Sequence, residues 1–310
     1  MVLVVIVILG ILGVSLWAAS FCYRLVFYNC NRTKDDPHVL PPGRQYQQVA
    51  DKMLKLVDDI EQVAYEQVYI TAWDGTRLAG RYYHICDGAP VLIQFHGYRG
   101  CSMREFSCVY SIAKKLGYNA IAVDERAHGE SGGHIITFGI KERYDCRDWV
   151  KYATDRFGAG TPLILSGVSM GAAIVLMASE LELPDNVSAI LADCPYSSPG
   201  AIIRKVCSDM KLPAFLVYPF VVLGALVFGR FKIWTGSAVK AVSNTHIPVL
   251  LIHGEDDRFV PCNMSRQIYN ACASRKKLLT VPAAGHGLCF LVDTQSYEQT
   301  LRSFLSACGI

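Results

Sequence analysis

Two serines lie in a pattern that can turn a side-chain hydroxyl into a nucleophile. Gly167–Gly171 (GVSMG) and Gly129–Gly133 (GESGG) both fit G-x-S-x-G, in which glycines permit a sharp turn that exposes the serine between a strand and a helix. Only Ser169 has that context, because it follows the apolar run Leu163–Val168 and precedes an alanine-rich segment. Ser131 follows a charged loop. We therefore predict Ser169 as the nucleophile.

A serine nucleophile needs a base, and the base needs an acid that orients it. His286 lies in the sequence AGHG after the last strand-like run, where the base belongs in the chain order serine, acid, histidine. Asp257 follows the penultimate strand and is the predicted acid, with Asp193, at the end of an earlier strand, as the alternative. The other histidines lie at strand ends, in loops or in no motif, and no catalytic role is predicted for them: His38, His84, His96, His128, His134, His246 and His253.

Attack on a carbonyl produces an oxyanion, which needs hydrogen-bond donors. The backbone N–H of Met170 is one predicted donor, because it opens the helix after the serine and the N-terminus of a helix favours negative charge. The second is predicted in the loop His96–Gly100, at the N–H of Tyr98. The alternative is that this loop is a tight turn without a catalytic role.

These residues predict acyl transfer in two steps, through an acyl-enzyme on Ser169 that water then hydrolyses. Neither a cofactor nor a metal is expected. The 12 cysteines are scattered, with no C-x-x-C pair and no metal-ligand spacing. We expect them to be reduced structural thiols.

The elements that must position these groups alternate between short apolar runs and helical segments, which predicts a mostly parallel, doubly wound α/β sheet with an antiparallel start. The predicted strands are Val68–Ala72, Leu78–His84, Val91–Phe95, Ala120–Asp124, Leu163–Val168, Ala189–Ala192, Val249–His253 and Lys277–Val281. The predicted helices between and after them are Arg104–Leu116, Lys141–Phe157, Gly171–Leu181, Asn263–Cys272 and Thr294–Ala307.

The front of the chain predicts a membrane anchor. Met1–Tyr23 has no charged side chain, and about 23 helical residues reach about 34 Å, enough to cross a hydrocarbon core of about 30 Å. A cleaved signal peptide, the alternative, would have a basic start and a shorter apolar run. Arg24, Arg32 and Lys34 follow the span and none precedes it, which predicts a single-pass protein of the cell membrane with its catalytic domain in the cytoplasm.

Two further segments, residues 24–62 and residues 195–246, lie outside the alternating strands and helices. Residues 24–62 are predicted to be a juxtamembrane linker with several prolines followed by an amphipathic helix near Tyr46–Ile60, which we expect to pack on the domain of residues 63–310 rather than on the membrane. The second segment, residues 195–246, interrupts the alternation and contains the uncharged stretch Leu212–Gly229. A second membrane span is conceivable from its length alone.

Composition narrows the classes of protein. The 310 residues are 52% hydrophobic and 18% charged, which excludes a disordered chain. The formal net charge of +3 is too small for a nucleic-acid-binding surface. We therefore expect no nucleic-acid partner, while the oligomeric state stays open.

The motifs together resemble the alpha/beta-hydrolase superfamily over about Val63 to Leu305. The matching segments are His96–Gly100, Asp124–Ser131, Gly167–Gly171, His253–Pro261 and Gly285–Gly287. Within the superfamily the chain is similar to the serine aminopeptidase/monoacylglycerol-lipase-like branch and to bacterial membrane-anchored hydrolases. It departs from the pattern at Ala127, where many relatives have a glycine.

The resemblance implies an alpha/beta-hydrolase fold, a triad of Ser169, Asp257 and His286, an oxyanion hole at Tyr98 and Met170, and a cap formed by residues 195–246. It also implies that the loop containing Ser131 is structural. A span at Leu212–Gly229 would place Ser169 on one side of the bilayer and the other two triad members on the other. We therefore expect a cap helix there, apolar because it lines an acyl pocket or dips into lipid.

The predicted function is hydrolysis of a lipophilic ester, thioester or amide by a serine hydrolase of the esterase or lipase kind. The partners expected are a small acyl substrate and, through the N-terminal helix, a membrane. A serine aminopeptidase is the alternative enzyme, although the cap offers Asp209 but no acidic cluster to hold a substrate amine. A catalytically silent membrane-anchored binding protein is the alternative from another class.

Overall fold

The computed structural model describes residues 1–29 and 36–310, and an eight-stranded sheet lies at its centre, in the order β1-β2-β4-β3-β5-β6-β7-β8. Strand β2 pairs antiparallel with β1 and β4, and all other neighbours are parallel. The strands are β1 (Glu66–Thr71), β2 (Arg77–Tyr83), β3 (Val91–Phe95), β4 (Asn119–Asp124), β5 (Leu163–Val168), β6 (Val187–Asp193), β7 (Val249–Gly254) and β8 (Lys276–Val281).

Helices cover both faces of this sheet. Every residue of β3, β4 and β7 is buried, as expected for parallel strands with both faces covered. The helices are α1 (Val2–Val26), α2 (Arg44–Gln47), α3 (Ala50–Glu61), α4 (Ser102–Leu116), α5 (Glu142–Phe157), α6 (Met170–Ala178), α7 (Pro199–Asp209), α8 (Ala214–Val227), α9 (Ala238–Val242), α10 (Asn263–Ala271), α11 (Cys289–Val292) and α12 (Thr294–Ala307). The predicted doubly wound sheet with an antiparallel start is confirmed.

Helix α1 is long and apolar enough to cross a membrane, with a mean hydropathy of 2.8, and among the described residues no other helix meets that length and composition. It continues three residues beyond the predicted end at Tyr23. Phe27, directly after it, is fully buried between the rings of Phe138 and Phe231. Of the basic residues used to predict orientation, Arg24 lies in α1, whereas Arg32 and Lys34 lie outside the described residues.

The predicted cap is helical, with α7, α8, a short 3-10 turn at Ile233–Thr235 and α9. Helix α8 packs against α1, where Gly224 lies so close to Ala19 that a Cβ on the glycine would be 2.5 Å from the Ala19 carbonyl oxygen. At about 1.5 Å per residue, its 14 residues would be too short for a hydrocarbon core of about 30 Å.

The segment that follows α1 is attached to the domain on both sides of the undescribed residues. Asn29 Nδ2 donates to the Ala127 carbonyl at 2.8 Å. The amphipathic helix predicted near Tyr46–Ile60 is divided into α2 and α3, and α3 buries Met53, Val57 and Ile60. It packs on α4, the arrangement preferred over the membrane. The division of the chain into anchor, linker and domain remains a prediction.

Candidate active site

The turn between β5 and α6 holds Ser169 in an unusual backbone conformation. Its φ is 55° and its ψ is −110°, a region that L-residues rarely adopt. The two flanking glycines explain the turn, because a Cβ on Gly167 would overlap the Gly171 backbone, and a Cβ on Gly171 would overlap the Phe95 carbonyl. The hydroxyl is consequently held at the carboxyl edge of the sheet, at the first turn of α6.

Ser169, His286 and Asp257, which come from three separate loops, form one hydrogen-bonded chain. His286 Nε2 lies 2.9 Å from Ser169 Oγ, and His286 Nδ1 lies 2.6 Å from Asp257 Oδ2. Burial opposes ionisation of Asp257, but hydrogen bonds from His253 and His286 outweigh it and lower the Asp257 pKa to about 2. Since an ionised carboxylate can only accept, His286 Nδ1 carries the proton, and Nε2 is free to accept one from Ser169.

Asp257 is held by more than this histidine. Its Oδ1 accepts the backbone N–H groups of Phe259 and Val260 at 2.9 and 2.8 Å. His253 Nε2 lies 3.3 Å from Asp257 Oδ2 and 2.8 Å from the Val260 carbonyl, and its Nδ1 contacts Ser265 Oγ at 2.7 Å. The sequence predicted no role for His253, whereas in the structure it contacts the same carboxylate oxygen of Asp257 as His286 does.

The loop after β3 brings Tyr98 to the cavity that contains Ser169. Among the hydrogen bonds of the described residues, none uses the N–H of Tyr98 or of Met170 as a donor. The backbone N–H groups on either side of Tyr98 already have acceptors. Gly97 N–H donates to Glu105 Oε2 at 2.6 Å, and Arg99 N–H donates to His128 Nε2 at 3.0 Å. Two N–H groups thus remain available for a developing negative charge.

Two buried histidines hold this loop from behind. His96 Nδ1 donates to the Gly97 carbonyl at 2.9 Å, and its Nε2 accepts from Glu125 N–H at 3.1 Å. His128 likewise donates from Nδ1 to the Arg126 carbonyl. Burial lowers the pKa of His96 to about 4 and that of His128 to about 3, so both are neutral. The sequence predicted no role for either.

These histidines and Glu125 are close enough to hold a metal ion, as are Cys194, Asp257 and His286. The first group is poorly suited, because the lone pair of each Nε2 already accepts a backbone N–H. In the second group the ring nitrogens of His286 contact Ser169 and Asp257. The ring nitrogens of the histidines in both groups are therefore engaged in hydrogen bonds that shape the site.

A cavity of about 470 Å³ lies beside Ser169 and His286. One wall comes from the segment of residues 36–46, which we call the strap, through the side chains of Val39, Leu40, Pro41 and Pro42. Met53, Val109 and Phe290 also line the cavity. No residue of 195–246 lines this cavity, which corrects the alternative that the apolar cap helix forms an acyl pocket there.

The hydrogen-bonded chain includes neither of the alternatives considered from sequence, Ser131 as the nucleophile and Asp193 as the acid. Ser131 is buried and tied to the sheet, since its Oγ donates to the Asp124 carbonyl at 2.5 Å and accepts Ala79 N–H at 2.8 Å. Asp193 lies in the cavity wall, but it is Asp257 that contacts His286. Ala127, at the position where many relatives have a glycine, has a φ of 65°, a conformation that glycine adopts without steric strain.

Comparison with known proteins agrees with the fold. A model of the alpha/beta hydrolase fold matches residues 90–212, and a serine hydrolase (FSH1) model matches residues 166–288. An esterase of Pyrococcus furiosus is similar in structure, with a TM-score of 0.66, 23% identity, and coverage of 91% of this chain and 98% of that one. Est1E from Butyrivibrio proteoclasticus, solved with ferulic acid, has a TM-score of 0.58 and 21% identity, covering 77% and 99%.

The relatives found by sequence are matched over only part of their length. The uncharacterized protein YqkD of Bacillus subtilis is 24% identical over 191 residues, 61% of this chain and 63% of its own length. Lysophosphatidylserine lipase ABHD12 of Xenopus tropicalis is 23% identical over 232 residues, 70% of this chain and 57% of its own. The chain thus belongs to the alpha/beta-hydrolase superfamily, and the serine hydrolase model that it matches classes it as a hydrolase.

Proposed function

We propose that this protein cleaves a lipophilic acyl ester through an acyl-enzyme on Ser169. The observation that carries the proposal is the unbroken hydrogen-bonded chain from Ser169 Oγ through His286 to Asp257, next to two backbone N–H groups without an acceptor among the described residues. Ser265 also contacts a histidine, His253, but it is fully buried and does not line the cavity.

In the proposed first step, His286 Nε2 takes the proton from Ser169 Oγ as the oxygen attacks the ester carbonyl carbon. The N–H groups of Tyr98 and Met170 stabilise the oxyanion, helped by the N-terminus of α6. His286 then gives the proton to the leaving alkoxide, and the acyl-enzyme forms. Water repeats the sequence and releases the acid. Asp257 keeps the proton on His286 Nδ1 throughout.

A lipophilic acyl group is supported by the composition of the cavity wall. Val39, Leu40, Pro41, Pro42 and Phe290 line it close to the nucleophile, and apolar walls with a few polar groups are typical of small-molecule sites. The lipases among the relatives agree with such a substrate. In the cap, Asp209 forms an ion pair with Lys205, so this carboxylate does not offer an unpaired site for the amine of a peptide.

A membrane location is part of the proposal. Helix α1 would span the bilayer, and α8, in contact with it, would lie at the lipid surface, because Phe215 and Leu216 expose 78% and 55% of their area on a helix without charged residues. Of the two explanations for the apolar cap helix, contact with lipid is therefore favoured.

For a cytoplasmic domain, the exposed Cys86 should resist an impermeant thiol reagent in intact cells, and its rapid labelling would contradict that orientation.

The substrate proposal is tested with the full chain in detergent, using p-nitrophenyl esters of increasing acyl length beside aminoacyl arylamides. We expect esters to be preferred, and Ser169→Ala to lower kcat by at least about 10⁴-fold. The exposed Ser303 provides the matched control, Ser303→Ala, which should leave kcat unchanged. Leu40→Trp should shift the preference to shorter acyl chains because it narrows the cavity. Activity that survives Ser169→Ala, or a preference for arylamides, would contradict the proposal.

A further inference from the structure

The C-terminal end of the anchor helix α1 lies against the loop that carries the proposed oxyanion donor. The Tyr98 hydroxyl donates to the Val26 carbonyl at 2.8 Å. The guanidinium of Arg99 donates through Nη2 to the carbonyls of Leu25 and Tyr28 at 3.0 and 2.9 Å. Two successive side chains of the oxyanion loop thus bind the end of the helix that would cross the membrane.

These contacts supply hydrogen-bond donors to the carbonyl groups at the C-terminal end of α1. The last carbonyls of a helix have no partner within the helix, and the helix dipole places negative charge there. Here the carbonyls of Leu25, Val26 and Tyr28 are satisfied by Tyr98 and Arg99, and the carbonyl of Phe27 accepts Ile136 N–H at 2.8 Å. The cationic Arg99 also has the sign that the helix end favours.

Packing reinforces the same connection. The ring of Tyr98 stacks on Phe138, with 4.9 Å between centroids. Phe138 also meets Phe27 edge to face at 5.9 Å, and Phe27 is fully buried. Movement of the helix end would therefore be transmitted to Tyr98 both through its hydroxyl and through its ring.

The position of the loop matters because its backbone conformation is strained. Arg99 has a φ of 50°, so it needs support from surrounding contacts to persist. His128 provides such support at the Arg99 N–H, and the helix end provides it at the side chain. Both act on the residue next to the Tyr98 N–H.

We propose that Tyr98 and Arg99 act through their side chains as positioning residues, which couple the end of the anchor helix to the placement of the Tyr98 N–H. The anchor is then a part of the active site as well as an attachment to the membrane. This inference rests on the proposed function, in which that N–H stabilises the oxyanion.

The test uses the full chain in detergent and a short, soluble ester, with kcat expressed per Ser169 titrated by a fluorophosphonate. Tyr98→Phe removes only the hydroxyl and keeps the ring and the backbone N–H. We expect it to lower kcat about fivefold to tenfold with KM unchanged, since complete loss of an oxyanion donor costs about 10²–10³. Arg99→Ala should have a similar effect, and Arg99→Lys should recover part of the loss.

Matched controls separate this effect from general damage. Tyr69→Phe removes a hydroxyl bonded to Glu130 on the surface, and Arg147→Ala removes an arginine paired with its neighbour Asp148. Both should leave kcat within about twofold of the parent. Phe27→Ala loosens the helix end without touching the loop backbone, and its effect on kcat should be non-additive with Tyr98→Phe, as for residues that act together.

The outcomes distinguish this inference from the proposed function. If the parent is labelled at Ser169 and hydrolyses the ester, but Tyr98→Phe and Arg99→Ala keep kcat within twofold, the coupling is refuted and the function stands. A rise in KM at constant kcat also refutes it, because it would indicate substrate binding. If the parent itself is neither labelled nor active, the proposed function fails first. Should Arg99→Ala not fold, Tyr98→Phe decides alone.

Discussion

At the scale of single residues, the site is supported by buried groups whose pKa values lie below those of the same groups on a protein surface. Asp257 is ionised because four donors, two backbone N–H groups and two imidazoles, converge on its oxygens. His96 and His128 are neutral because they are buried and each accepts a backbone N–H. The proposed role of His286 as a base needs the charged form of Asp257, which keeps the proton on His286 Nδ1.

Asp193 gives a pH-dependent prediction for stability. Burial raises its pKa to about 6, against smaller opposing effects of His253 and His286. In the unfolded chain an aspartate titrates near 3.9, so between about pH 4 and pH 6 the folded state holds a proton that the unfolded state has lost. Stability therefore falls as the pH rises through this range and stays lowered above it. Asp193→Asn removes the effect and should raise Tm more at pH 7.5 than at pH 4.

The control for this prediction is Asp185→Asn, at an exposed position, which should change Tm little at either pH. Thermal unfolding of the full chain in detergent measures both variants. An equal change in Tm at pH 4 and pH 7.5 for Asp193→Asn would show that Asp193 is not protonated preferentially in the folded state.

Sequence reasoning predicted some of these residues and missed others for a physical reason. Ser169, Asp257 and His286 each follow a strand, and parallel strands bring their carboxyl ends to one edge, so local motifs sufficed to bring them together. His96 and His128 act through bonds to residues 29 positions away, Glu125 and Arg99. The local sequence does not predict such a bond, because the bond depends on the tertiary packing of two loops.

At the scale of elements, the contact between α1 and α8 depends on Gly224. Its missing side chain allows α8 to approach the Ala19 carbonyl, and Tyr23 meets Phe228 at 5.7 Å nearby. An alanine favours a helix interior over glycine by about 1 kcal/mol, but here its methyl group would collide. Gly224→Ala should therefore lower Tm despite its better helix propensity.

Gly13→Ala is the matched control, because it makes the same change in an apolar helix where nothing lies within 4 Å of the new methyl group. We expect Gly13→Ala to leave Tm unchanged or raise it slightly, while Gly224→Ala lowers it by several degrees. Equal effects of the two substitutions would mean that α8 does not pack closely on α1.

The strap is the element that the sequence described least well. A polar, proline-rich run predicts an irregular segment, and it carries no signal for the surface that the segment will cover. In the structure Arg104 donates to the Val39 carbonyl at 2.7 Å, and the Tyr46 hydroxyl donates to the His286 carbonyl at 3.1 Å. These contacts hold the strap beside the cavity that contains Ser169, in the place where a pocket-lining cap helix was one expectation.

At the scale of the whole molecule, the hydrophobic excess of the chain has three separate locations. The parallel sheet buries one part, α1 exposes another, and α8 adds a third beside α1. The fold class followed from the alternation of elements, since short apolar strands that alternate with helices admit few other architectures. The contacts between α1, the cap and the loop that contains Tyr98 did not follow from it, because they join segments that are far apart in the sequence.

We propose above all that Ser169 is the nucleophile of a membrane-bound serine hydrolase. The most direct measurement is fluorophosphonate labelling of membranes that contain the full chain, with the modified peptide identified by mass spectrometry. We predict a single label on Ser169, retained in the membrane fraction, lost in Ser169→Ala and strongly slowed in Asp257→Asn. Labelling that persists in Ser169→Ala, or no labelling of the folded parent, would contradict this role of Ser169.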